Sequence, residues 1–290
     1  MNKNKYLIIN ADDFGYNEQQ TDAITELYKN GLISSTSFLC VTPYSETAAK
    51  RAAAEKIPVG VHLAINSDNE NEPWTSLSSG ASLCNEKGLE SNQKRLALHA
   101  RRSEVAKELE AQYNFLISNG VTVDHADNHC GTLYGINGRR FYLDAYDFCA
   151  RHALAYRFPK RPDFIARQLG ISRVPKPVCA LQRHIVSQGQ KRNVRLLDDL
   201  VSNPWSAKDI KDCNALKKYY LDAVDNCCAG VTEMFLHPAK EKNDPTGDWK
   251  KRVFEYEILK SGDLLQRAKD KNIKIISWAD FAAMPAEKLT

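Results

Sequence analysis

Residues 5–15, KYLIINADDFG, constrain this chain more than any other stretch. Tyr6, Leu7, Ile8 and Ile9 form a nearly continuous apolar run, the pattern of a strand buried on both faces. Asp12 and Asp13 follow at once. Two adjacent carboxylates at the end of a buried strand repel each other in a low dielectric unless a cation or a shared proton compensates them. A bound metal is one answer. The other is an Asp-rich turn closed by Gly15, with one aspartate capping the next helix.

The rest of the chain alternates. Residues 19–30 carry Ala23, Ile24, Leu27 and Tyr28 at helical spacing, residues 35–41 read as a strand, 45–56 as a helix and 57–65 as a third strand. Such alternation predicts a parallel sheet wound by right-handed crossovers. Residues 66–98 break the rhythm with Asn, Ser, Glu and Gly, and a stretch of that length is expected to be a functional loop or lid. A helix over 101–119 leads to a short strand at 121–124, then to HADNHCGTLYG. A helix at 141–152 and a strand at 155–158 follow. Residues 159–204 are basic and proline-interrupted, and are expected to form an insertion or small helical lid over one end of the sheet. Helix 207–228, strand 231–236, helix 252–270 and strand 273–278 bring the count to about seven strands, suited to a barrel-like α/β fold. No linker divides residues 1–290, which are read as one domain.

Composition removes several classes. Hydrophobic residues at 43% and charged residues at 26% are those of a globular chain, so disorder and fibres drop out. A net charge of +4 without an arginine-rich block gives no reason to expect a nucleic acid partner. The opening apolar run is too short for a signal peptide or membrane span. Eight cysteines without a CxxC pair read as thiols in a reducing compartment, the cytoplasm by default. A homodimer is the ordinary expectation for a soluble enzyme.

The chemistry-bearing residues fall at strand ends: Asp12 and Asp13, His62, then His125, Asp127 and His129, and finally His237. Carboxyl ends of parallel strands open on one face, so these side chains converge. His62, inside VGVHLAI, also suits a hydrogen-bonded core histidine, and two histidines four apart prove little alone. As a set, a carboxylate and two imidazoles leave positions open for water and substrate, as a hydrolytic metal requires.

In order and spacing, NADDFG, GVHL, HADNH and LHP resemble the YdjC-like family of carbohydrate deacetylases, which includes chitooligosaccharide deacetylases. The resemblance spans nearly the whole chain. It implies an α/β fold, a deformed (β/α) barrel of the glycoside hydrolase/deacetylase type. It also implies a divalent ion, magnesium or zinc, and removal of acetyl groups from a small N-acetylated carbohydrate. Position by position, Asp13, His62 and His129 match the metal ligands, Asp12 the base and His237 the acid, the last two expected on opposite sides of the substrate. Where members of the family usually continue with further histidines, this chain has Cys130, Gly131, Thr132, Leu133 and Tyr134.

His125 and Asp127 are expected just behind the ligands, Asp127 fixing an imidazole tautomer or else serving as a turn residue. Trp74 and Tyr134 are candidates to stack on a sugar, with core packing as the alternative. Arg157 is a candidate substrate contact, with a surface ion pair as its alternative. Two other functions stay open: a metallohydrolase cleaving a phosphoester or glycosidic bond on the same scaffold, and a non-catalytic sugar-binding protein.

Overall fold

The computed structural model describes residues 4–68, 71, 73–135, 138–242 and 249–285. Its elements, in order, are β1 (Lys5–Phe14), α1 (Glu18–Lys29), β2 (Ser35–Phe38), α2 (Ser45–Ala54), β3 (Val59–Leu63), α3 (Gln93–His99), α4 (Arg102–Ser118) and β4 (Val123–Asn128). A short 3-10 segment, His129–Tyr134, precedes α5 (Tyr142–His152), β5 (Ala155–Pro159), α6 (Asp163–Leu169), α7 (Lys176–Lys191), β6 (Leu196–Leu197) and β7 (Asp199–Val201). The chain continues through α8 (Cys213–Asp225), β8 (Gly230–Leu236), α9 (Trp249–Lys260), α10 (Asp263–Asp270), β9 (Lys274–Ile275) and α11 (Trp278–Ala283).

All strand pairs are parallel, in the order β6-β5-β4-β3-β2-β1-β8-β7, with β9 added beside β1. The two end strands of that path, β6 and β7, are consecutive in the chain and separated only by Asp198. One continuous segment therefore bonds β5 on one side and β8 on the other, which closes the sheet into a deformed barrel.

Alternation sorts each strand into two environments. On β1, Leu7, Ile9 and Ala11 join the large outer core under the helices, whereas Tyr6 and Ile8 join a smaller inner cluster with Ala155, Leu197, Leu200, Val231, Trp278 and Phe281. That inner cluster fills one end of the barrel, and α11 supplies two of its rings as a plug. Helix α11 is held by a reciprocal cap between Ser277 and Asp280. At the other end of the same inward rows stand buried polar residues: Asn10, Asp12, Ser37, His62, Asp127, Arg157 and Glu233.

Several expectations need correction. Residues 159–204 are not an insertion, because they contain β6 and β7, without which the barrel would stay open. The expected helix 252–270 is two helices, α9 and α10, interrupted where Gly262 takes φ 74°. Trp278, expected to end a strand, begins α11. Within residues 66–98, α3 and the tightly packed Trp74, Leu83 and Leu89 form part of the core rather than a free loop.

Candidate metal centre and its surroundings

Adjacent strand residues point to opposite faces, so Asp12 and Asp13 could not share a site on a regular strand. Here β1 pairs Ala11 with Thr36 but Phe14 with Phe38, so an extra residue is inserted. Asp13 itself takes φ 72°, a left-handed conformation costly for a non-glycine residue. The kink turns Asp13 toward the pocket beside Asp12.

Three donors converge there. His62 Nε2 lies 3.5 Å from Asp13 Oδ1, His129 Nδ1 lies 3.7 Å from the same oxygen, and the two nitrogens are 3.3 Å apart. Donors about 2.0–2.2 Å from one ion in a tetrahedral shell sit roughly 3.3–3.6 Å from one another. The other polar atom of each residue is already engaged: Asp13 Oδ2 accepts from Arg252 at 2.8 Å, His62 Nδ1 meets Asp127 at 2.8 Å, and His129 Nε2 meets Asp68 at 2.5 Å. With those outer nitrogens carrying the protons, two lone pairs and a carboxylate oxygen face one point. Asp13 Oδ1 is buried without a hydrogen-bond partner. A cation resolves that convergence, and the donor set fits one.

Electrostatics agree. Burial raises the Asp13 carboxyl, but Arg252, His129 and His237 together hold it well below the usual carboxylate range. Burial lowers both imidazoles, yet Asp127, Asp12 and Asp13 push His62 up, and Cys130, Asp68 and Asp13 push His129 far up. The pocket attracts positive charge at the point where the donors meet.

Beneath the three donors lies a buried ion cluster. Arg157 forms two bonds to Asp12, Nη1 to Oδ2 at 2.6 Å and Nη2 to Oδ1 at 2.7 Å. It also bonds both oxygens of Glu233 at 2.7 and 2.9 Å and lies 2.8 Å from Asp127. Trp278 Nε1 donates to Glu233 from the floor of the barrel. Burial raises the Glu233 carboxyl even against Arg157. Four buried carboxylates, those of Asp12, Asp13, Asp127 and Glu233, thus face two guanidinium groups.

His237 follows β8, whose Leu236 pairs with Ala11, so it stands next to Asp12 with Nε2 3.9 Å from Oδ2. Acid and base candidates are therefore neighbours, not on opposite sides. Its side chain is 31% exposed, the most open of the candidate acid–base and ligand residues. Burial, reinforced by Arg252, lowers its pKa against the opposing pull of Asp13 and Asp12.

Two sequence candidates, Arg157 and His125, sit elsewhere than expected, and two, Trp74 and Tyr134, take the packing alternative. Arg157 is 2% exposed and spends its guanidinium on carboxylates, so it is not an open substrate contact. Trp74 is 4% exposed, packed 5.0 Å from the His129 ring and 5.7 Å from Tyr16, with no free face for a sugar. Tyr134 is half-buried among Tyr156 and Phe158, its hydroxyl donating to the Arg157 carbonyl. His125 lies one layer below His62, over Gly60, stacked 4.6 Å from Trp278 and bonded to Asp124, so it backs no ligand. Asp127 backs the candidate ligand His62, through its Nδ1.

Sequence reading missed Asp68, Arg252 and Glu233. Glu233 carried a usable signal, a lone acid inside the apolar strand VTEMFL. Arg252 and Asp68 carried none, since a helix arginine and a loop aspartate are ordinary surface residues.

Comparison with known proteins places these features. The model of the family described as YdjC-like protein matches residues 6–270. A carbohydrate deacetylase of Thermoanaerobacter pseudethanolicus is 25% identical over 280 residues, covering 95% of this chain and 98% of that one. A chitooligosaccharide deacetylase of Proteus mirabilis is 25% identical over 281 residues, again covering 95% and 98%. A crystal structure from Enterococcus faecalis, of a candidate cellobiose-phosphate cleavage protein, superposes with a TM-score of 0.76 at 25% identity, covering 96% of this chain and 99% of that one. The chain belongs to the YdjC-like family.

Proposed function

We propose that this protein is a metal-dependent hydrolase that removes N-acetyl groups from an N-acetylated sugar or chitooligosaccharide. The observation that carries the reading is the meeting of Asp13, His62 and His129 at one point, with Asp12 and His237 beside it. The deacetylase names of the full-length relatives support it.

An amide is a poor electrophile with a poor leaving group, so its hydrolysis needs an activated water, a stabilised oxyanion and a proton for the amine. Asp13, His62 and His129 would hold a divalent ion, which would supply Lewis acidity toward water and an acyl oxygen. Two imidazole donors favour zinc, whereas magnesium prefers an all-oxygen shell. Asp12, oriented by Arg157 and by Asn10 at 2.8 Å, accepts a proton from the attacking water. The water oxygen bonds to the acetyl carbon, the carbon–nitrogen bond breaks, and His237 delivers a proton to the departing nitrogen. A lowered pKa makes protonated His237 the readier donor.

The test is acetate release from N-acetylated mono- and oligosaccharides, with and without chelator. Release that stops on chelation and returns with added ion supports the reading. Phosphate or reducing-sugar release without acetate would favour a phosphoester or glycosidic hydrolase instead.

A further inference from the structure

Both candidate metal-binding imidazoles are held from behind by a carboxylate, but the two carboxylates come from different kinds of structure. His62 points Nε2 at the centre because Asp127, its register partner on β4, takes Nδ1 at 2.8 Å. His129 does the reverse. It points Nδ1 inward, and its Nε2 meets Asp68, which lies beyond β3 in the loop at the mouth of the barrel.

We infer that Asp68 is a positioning residue for the metal centre: by accepting the Nε2 proton of His129, it fixes the tautomer that leaves the Nδ1 lone pair facing Asp13 and His62. The inference rests on the metal-centre reading above, and concerns a residue outside the three donors.

Free imidazole distributes its proton over both nitrogens, so a ligand histidine without an outer partner spends part of its time with the wrong nitrogen protonated and its ring free to turn. Packing does not remove that freedom here. Trp74 and His62 flank the His129 ring at 5.0 and 5.3 Å, which restricts its tilt but not which nitrogen carries the proton. Asp68 does remove it. The nearest other acceptor is Cys130 Sγ, 3.2 Å from the same nitrogen, and sulfur is the weaker acceptor.

Asp13 is supported in the same way from outside the cluster, by an Arg252 guanidinium that lies 5.3 Å from the Tyr16 ring. Asp68 is 23% exposed in its side chain, so replacing it opens no core cavity.

The experiment compares Asp68→Ala and Asp68→Asn with the wild type by zinc competition against a chromophoric chelator. Nitrogen NMR of His129 in the ion-free proteins is the second readout. Asp68→Ala is expected to bind zinc about 10–100-fold more weakly with an unchanged melting temperature. In Asp68→Asn the amide oxygen accepts the same bond, and affinity is expected within about threefold of wild type. Recorded at alkaline pH, where the ring is neutral, wild-type His129 is expected as the Nε2-protonated tautomer, and Asp68→Ala as a mixture. Wild-type zinc affinity in Asp68→Ala would overturn the inference, as would equal losses in both variants. If the wild type binds no ion at all, the metal reading fails, and the His129 tautomer still decides the role of Asp68.

Discussion

Asp12 and Arg157, 145 residues apart, meet through two parallel bonds of 2.6 and 2.7 Å inside the barrel, each side chain 2% exposed. The same guanidinium bonds Glu233 and lies against Asp127, so a single cation balances three carboxylates contributed by β1, β4 and β8. Replacing it strands those charges without a partner. Arg157→Ala is expected to cost about 3–5 kcal/mol of folding stability, measured by denaturant titration. Arg157→Lys keeps the charge but not the planar fork, and is expected to recover only part of the loss. Stability unchanged in Arg157→Ala would show that the cluster is not ionised as described.

Asp12→Asn tests the base separately from the ion. A carboxamide at this position cannot take up a proton at neutral pH, yet Asp13, His62 and His129 are untouched. Turnover is expected to fall about 10²–10⁴-fold while bound metal, read by elemental analysis, stays at the wild-type ratio. Near-normal acetate release would remove Asp12 from the base role.

Trp74 separates packing from substrate contact. Its ring wedges between Tyr16 and His129 with almost no exposed face. Trp74→Ala is expected to destabilise the fold by about 3–5 kcal/mol, seen as a lower melting temperature. A variant that instead kept its stability and lost only substrate affinity would restore the stacking role.

Gly60 tests the layer below the site. A Cβ built there would fall well inside van der Waals contact with His125 Nε2, so the ring would have to leave its stack on Trp278. Gly60→Ala is expected to cost about 1–3 kcal/mol, again read from thermal unfolding. No change in stability would mean that the His125 ring moves aside freely.

Much of this architecture could be read from the chain, because period and punctuation are local. The strands at Lys5–Phe14, Val59–Leu63, Ala155–Pro159 and Gly230–Leu236 announce themselves by their mainly apolar content, and the carboxyl ends of three of them carry Asp12, Asp13, His62 and His237. Closure of the barrel was not legible. It depends on Leu196–Leu197 and Asp199–Val201, strands too short for any periodic signal, set in a proline-rich section that looks like an insertion. Nor was the turn of Asp13 into the pocket, since a bulge is set by pairing with β2 rather than by the residues themselves. The surroundings of Arg157 were not legible either: an arginine in a short strand looks the same in sequence whether it faces solvent or three buried acids. Asp68 and Arg252 reach the site only through tertiary contact.

The measurement that bears most directly on the account is divalent metal content per chain in wild type, Asp13→Ala and His62→Ala, taken alongside acetate release from N-acetylated oligosaccharides. One ion per wild-type chain, lost from both variants together with acetate release, is the predicted result. Acetate release that persists in His62→Ala, or in wild type stripped of metal, would contradict it.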